Sequence, residues 1–292
     1  MQLDLFLHSA EVTLRNAVIA ALCARDAEAM RVDMDRLLAE FPNDIHNDDF
    51  EHLYSELSAL SQNASSAPAI AQQVERIETR LRPRLQKMIG TDAAQHWIEA
   101  VYGQLARSAY GQPFTRSLAQ SHAGGLFLRA NELALARASL VAIPSWRRIP
   151  EVLAWMAEIA LREEQPDEYW PLVAELAWIA PALLAALFAA EVDRAGSATV
   201  LRCYREFCSE AEADGESDEL AWFPAWLLID HAELLPQLRT ANPHDSRPAR
   251  SAALLIDLLL GERRGLTPAV VDKRQQLRDL APALFARYMA RR

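Results

Sequence analysis

An all-α protein, built as an array of helix hairpins, is the fold class this sequence predicts, and three observations predict it. Ala and Leu abound, β-branched residues are sparse, and only nine of 292 residues are Gly, a balance that favours helix over strand. No segment sustains the period-two alternation of a half-buried strand. Apolar residues instead recur at helical spacing in segments separated by short turn-forming breaks. With 51% hydrophobic and 24% charged residues the composition is globular, and the length suits one large domain or two modest ones.

The first predicted helix runs from about Ala10 to Ala24, with apolar Val12, Leu14, Val18, Ile19 and Leu22. Ser9 is its candidate N-cap, and Glu11 puts a negative charge in the first turn, where the helix dipole favours one. Arg25-Asp26 breaks the pattern. A second helix, Ala27 to Glu40, carries Met30, Met34, Leu37, Leu38 and Phe41 on one face and stops at Pro42-Asn43-Asp44; the pair reads as an αα-hairpin. Asn43 to Asp49 is a polar turn, and Ser61 to Pro68 is the best linker candidate. The organisation therefore reads as a peptide over 1–8, N-terminal hairpins over 9–62 and a helical body over 69–292.

A helix from Ala69 to about Ile89 carries Arg76, Arg80, Arg82, Arg84 and Lys87 and meets Pro83, which should kink or end it. Gly90-Thr91-Asp92 caps a helix to Tyr110, Gly111-Gln112-Pro113 is a break, and Gly124-Gly125 reads as a tight turn. Pro150, Ser197 and Thr267-Pro268 mark later helix starts, and Asp214 to Asp218 an acidic loop. The uncharged run Leu176 to Ala190 is shorter than the roughly 18–20 residues that span a bilayer, and reads as a buried helix.

Some segments echo one another. Arg25-Asp26-Ala27-Glu28-Ala29 through Phe41-Pro42, Asn131-Glu132-Leu133-Ala134-Leu135-Ala136 through Ile143-Pro144, and Gln165-Pro166-Asp167-Glu168 through Ile179-Ala180-Pro181 share one form, and Leu280-Ala281-Pro282 repeats its ending. Pro144 and Pro181 lie 37 apart, a spacing that fits a helix-pair repeat. The form resembles the second helix of a tetratricopeptide repeat, which opens on a Gly-Asp-like turn and ends on Pro. The Trp and Gly-Tyr positions of that repeat's first helix are missing. The resemblance therefore implies a divergent tetratricopeptide-like α-solenoid that binds other proteins.

The net charge of −10 is uneven: residues 1–238 hold 19 Lys and Arg against 35 Asp and Glu, residues 239–292 hold 11 against 5. Phosphate binding depends on clustered positive charge, so the body is not expected to bind nucleic acid. The basic C-terminal end, with Arg263, Arg264, Lys273, Arg274 and Arg278, is the one candidate for contact with nucleic acid or an acidic partner. Three cysteines, Cys23, Cys203 and Cys208, form no disulfide framework and suggest a reducing compartment. The N-terminus lacks the basic region of a secretory signal. The expected location is the cytoplasm, with no membrane partner.

Gln2-Leu3-Asp4-Leu5-Phe6 matches at all five positions the peptide by which many bacterial replication and repair proteins dock on the DNA polymerase sliding clamp, and is similar to its favoured form, Gln-Leu-(Ser or Asp)-Leu-Phe. The resemblance implies that Leu5 and Phe6 fill a hydrophobic pocket, Gln2 hydrogen-bonds in a smaller subsite, and Leu3 with Asp4 sets the spacing. With ordinary amino-acid usage the pattern arises by chance at roughly two positions in a million. Here it begins at the second residue, and a terminus is where a segment is most often free to bind. Two other readings stay open. Leu3, Phe6 and Leu7 have i, i+3, i+4 spacing and can begin the fold as an apolar helix face, or the segment can dock into a groove of its own protein.

No motif for chemistry stands out. There is no His-Glu-x-x-His, Gly-x-Ser-x-Gly or Gly-rich phosphate loop, and the only lysines are Lys87 and Lys273. His46, Asp48, Asp49, Glu51 and His52 are metal-ligand types, but they sit where turn and cap residues are expected. Cys203 and Cys208 have no second Cys or His pair nearby and read as packed thiols. Asp230-His231-Ala232-Glu233 sets a His between carboxylates without a nucleophile. Trp155 and Trp178 read as core, and Trp146, before Arg147-Arg148, is the one stacking candidate. The expectation is a non-enzymatic adaptor without metal or cofactor, joining the clamp to an unidentified second protein on the helical array, or a scaffold or assembly factor unrelated to replication.

Overall fold

Good helix formers punctuated by short breaks give helices, and every regular element among the described residues is helical. The computed structural model describes residues 2–60, 64–191, 198–214, 220–263, 265 and 267–292, with side chains except at 2–9, 191, 198 and 211–214. The chain forms two compact units, residues 1–143 and 144–292.

In the first unit, α1 (Gln2–Ala24) and α2 (Ala27–Glu40) pair as the expected hairpin, with α1 beginning at Gln2 and not after a cap at Ser9. Val18, Leu22, Met30, Met34 and Leu37 are buried between them and their neighbours, whereas Val12 and Leu38 are exposed, so the buried stripe is narrower than the apolar pattern. α3 (Asn47–Leu60) and α4 (Ala67–Arg76) follow. The segment read as a linker, 61–68, falls inside this unit. Pro83, expected to kink or end a helix, sits at the start of α5 (Arg82–Ile89) behind a π turn over Ile77–Leu81. The wider turn, closed by the Arg82 N–H on the Ile77 carbonyl, accommodates the proline ring without ending the helical path. Gly90, at φ +83°, leads into α6 (Thr91–Ala109), whose Trp97 Nε1 donates to the Leu22 carbonyl at 2.7 Å.

Gly124-Gly125 is a correction: both lie inside α7 (Ala123–Arg129) and are buried. A Cβ on Gly124 would stand 2.4 Å from Leu140 Cδ2, a side chain of α8 (Leu133–Val141). The glycine is there for close helix packing, not for a turn.

The second unit holds α9 (Pro150–Arg162), α10 (Pro166–Ile179), α11 (Pro181–Glu191), α12 (Ala198–Asp214), α13 (Phe223–Asp230), the single turn α14 (Leu235–Leu238), α15 (Arg247–Glu262), α16 (Pro268–Leu280) and α17 (Pro282–Ala290). The starts expected at Pro150 and Thr267 hold: Pro150 opens α9, and the Thr267 hydroxyl accepts from the Val270 N–H at 3.4 Å. The start expected at Ser197 and most of the acidic loop, 215–218, lie outside the described residues. The run Leu176 to Ala190 is not one buried helix. Pro181 splits it between α10 and α11, and Ala182, Ala186, Ala189 and Ala190 are exposed. Trp155 and Trp178 are half-buried, whereas Trp170 and Trp226 are core. Around Trp226, Phe188, Tyr204, Phe207 and Phe223 form an aromatic cluster with ring centroids 4.7–6.2 Å apart, which locks α11, α12 and α13 together.

Three hairpins share one link. Arg25, Asn131 and Glu164 take the left-handed conformation, at φ +58°, +59° and +52°, and each is followed by a non-helical residue, Asp26, Glu132 or Gln165, that caps the next helix. The second residue donates its N–H five residues back, to Ala21, Phe127 and Ala160 at 3.1, 2.9 and 3.0 Å; the first donates three back, to Leu22, Leu128 and Leu161. This is the Schellman ending, in which two otherwise unmatched carbonyls are satisfied. Gly is the usual occupant of its left-handed position, and none of these three links uses it. The endings of α2, α10 and α16 also agree: Phe41, Ala180 and Ala281 leave the helical conformation before Pro, with ψ of 67°, 71° and 78°, and bond four residues back at 2.7, 2.8 and 2.8 Å, as the bulk of the following ring requires.

Candidate functional site

The pentapeptide Gln2, Leu3, Asp4, Leu5 and Phe6 falls on residues whose side chains lie outside the described ones. The basic C-terminal end is described almost whole. It centres on two carboxylates at helix ends, Asp230 of α13 and Glu262 of α15. Glu262 accepts from Arg274 of α16, with Nη2 at 2.6 Å, and from the Tyr288 hydroxyl of α17, and Arg292 lies at 2.5 Å. Burial pushes the Glu262 carboxyl up, but these partners outweigh it and hold it below the usual range. Asp230 is clasped by Arg287 and Arg291 at 2.8 and 2.7 Å, and Arg287 also reaches Glu210. Beside them opens a cleft of about 330 Å³, walled by Ile229, Leu259 and Tyr288 and rimmed by Arg263, Arg291 and Arg292.

Of the five residues singled out at this end, Arg263 is exposed on the cleft rim and Arg264 lies outside the described residues. Lys273 pairs with Asp257, Arg274 with Glu262, and Arg278 stands 3.7 Å from Asp279. Much of the excess positive charge is thus neutralised within the fold. That leaves less of the clustered, uncompensated charge on which phosphate binding depends. Arg147 is likewise engaged: it stacks on Trp146 and holds the buried carboxylate of Glu175.

The polar stretch 44–52 is used structurally. Asp44 pairs with Arg15, Asp49 with Lys87 and Glu51 with Arg31, while the Asp44 carboxylate also accepts from the His46 N–H. A different donor set comes together in the second unit. Cys203, Glu206 and His231 bring Sγ, a carboxylate oxygen and a ring nitrogen within 4.8 Å of one another. Cys203 and Glu206 are one turn apart on α12. His231 ends α13, held by its N–H on the Leu227 carbonyl at 2.7 Å and by Trp226, whose ring centroid is 5.5 Å away. Its Nε2 lies 3.2 Å from Glu206 Oε2 and its Nδ1 3.4 Å from Glu233 Oε1. Burial pushes the Cys203 thiol up to about 11. The sequence held one local signal, Cys and Glu at i, i+3 on one helix face, but His231 follows 28 residues after Cys203 and reaches it only through the aromatic packing.

No protein-family model, curated protein or solved structure matches this chain.

Proposed function

We propose that this protein is a non-enzymatic adaptor: a divergent tetratricopeptide-like array of helix hairpins that docks on the bacterial sliding clamp through Gln2-Leu3-Asp4-Leu5-Phe6 and carries a second protein to DNA replication or repair. The five-position match carries the reading. Burying Leu5 and Phe6 supplies roughly 1.5–3 kcal/mol each, a good share of the about 8 kcal/mol of a micromolar complex. Gln2 and the backbone have the smaller task of fixing register. Supporting the array are the three Schellman links of one form and the repeated helix endings on a non-helical residue before Pro, a recurrence that a set of unrelated helix hairpins does not require.

The test is calorimetric titration of the full chain with a purified bacterial sliding clamp, beside a Leu5→Ala, Phe6→Ala variant whose fold is checked by circular dichroism. Micromolar binding lost in the variant is the expected result. A well-folded wild type that does not bind leaves a protein-interaction scaffold unrelated to replication.

A further inference from the structure

We propose that Cys203, Glu206 and His231 form a binding site for a single zinc-type divalent cation, with one coordination position left for water or for a donor atom of a ligand. Thiolate, imidazole and carboxylate are each zinc ligands, and three protein ligands with a fourth position open is the form of its catalytic sites. Zinc–ligand bonds of about 2.0–2.3 Å in a tetrahedron place donor atoms roughly 3.3–3.8 Å apart. The 3.2 Å between His231 Nε2 and Glu206 Oε2 is already close to that edge, and all three donors lie within 4.8 Å, so the set has to close by no more than about 1 Å.

His231 is placed as a ligand is placed. Glu233 stands 3.4 Å from Nδ1, the carboxylate that fixes a metal-bound imidazole's tautomer and leaves the Nε2 lone pair pointing at the ion. Trp226 fixes the ring from the side. Arg202 sits 3.8 Å from Glu206 Oε1, on the oxygen that the site does not use. Cys203 is buried and Glu206 exposed, so the cation enters past Glu206 and the open position faces solvent. Binding converts the Cys203 thiol to thiolate and releases its proton to buffer; no redox change accompanies it.

Cobalt(II) reports on this site directly, because a thiolate ligand gives a charge-transfer band in the near ultraviolet and tetrahedral coordination gives intense visible bands. The full chain, purified with chelator, is titrated with cobalt(II) and then with zinc. The expected result is saturation at one ion per chain and displacement of cobalt by zinc. Cys203→Ser should lose the charge-transfer band, and Glu233→Gln should weaken binding by about ten- to hundredfold while keeping it. Cys23→Ser and Cys208→Ser should bind as wild type. Circular dichroism of each variant checks the fold, and Glu233→Gln, exposed at the surface, keeps the test open should Cys203→Ser fail to fold. A wild type with no charge-transfer band, a band that survives Cys203→Ser, or an affinity indifferent to Glu233→Gln overturns the assignment.

Discussion

The left-handed residues of the hairpin links set up the sharpest stability prediction. Glu164 is exposed at φ +52°, a conformation that costs an L-residue about 1–2 kcal/mol because Cβ crowds the following carbonyl. Gly removes that cost but loses roughly 0.5–1 kcal/mol more backbone entropy on folding. The difference makes Glu164→Gly stabilising by about 0.5–1 kcal/mol, and Glu164→Ala close to neutral, since Ala keeps the Cβ. Arg25, also exposed and at φ +58°, should behave the same way. At about 2–4 °C per kcal/mol for units near this size, each Gly raises a melting midpoint by about 1–4 °C. Thermal melts by circular dichroism and urea titrations of wild type, Glu164→Ala, Glu164→Gly and Arg25→Gly check it. Loss of stability in both Gly variants, or equal gains for Ala and Gly, would refute the argument that the link strains its non-glycine residue.

Two further substitutions probe the packing and the buried charge. Gly124→Ala brings a Cβ into Leu140; overpacking costs about 1–3 kcal/mol against roughly 1 kcal/mol regained in helix propensity, so a net loss of about 1 kcal/mol is expected, and in urea melts the Gly124→Ala, Leu140→Ala pair should lose less than the sum of its singles. Glu175 has its carboxyl raised by burial, against the downward pull of Asn242 and Arg147. A raised folded value means that the native state holds the proton longer, so this group's stabilisation is complete below about 4.5 and is lost as pH rises through the folded value. The stability of wild type relative to Glu175→Gln should therefore fall with rising pH across that window, by at most about 1.4 kcal/mol per unit; urea melts from pH 4.5 to 7 showing the opposite slope would mean that the partners win over burial.

Helix was legible in the sequence because propensity and spacing act locally. Arg25-Asp26, Pro42 and Thr267 could be placed on helix boundaries by chemistry that acts within a turn or two. What failed depended on neighbours distant in the chain. Gly124 looked like a turn because Leu140, the side chain that excludes a Cβ, is on another helix. The Leu176 to Ala190 run looked like one element because its hydrophobicity outweighed a single Pro181. The ion pairs at the basic C-terminal end were equally hard to read, since the partners of Lys273 and Arg274, Asp257 and Glu262, precede them by 16 and 12 residues. Of the Cys203, Glu206 and His231 set only the Cys–Glu spacing was local, and His231 lies 28 residues after Cys203.

The Glu175 carboxylate has a consequence for how the chain is made. Its partners lie on both sides in the sequence: Arg147, 28 residues earlier, and the Asn242 backbone N–H, 67 residues later at 2.6 Å. At about 5–20 residues per second of synthesis, Asn242 follows Glu175 into existence by roughly 3–13 s. For that interval the α9–α10 hairpin carries a carboxylate that its own chain cannot yet fully satisfy, and which stays hydrated until the segment before α15 arrives. The segment that lets the centre of this unit dry is therefore made well after the hairpin it serves, so a nascent chain stalled before residue 242 should be a better substrate for a protease or chaperone than its length suggests.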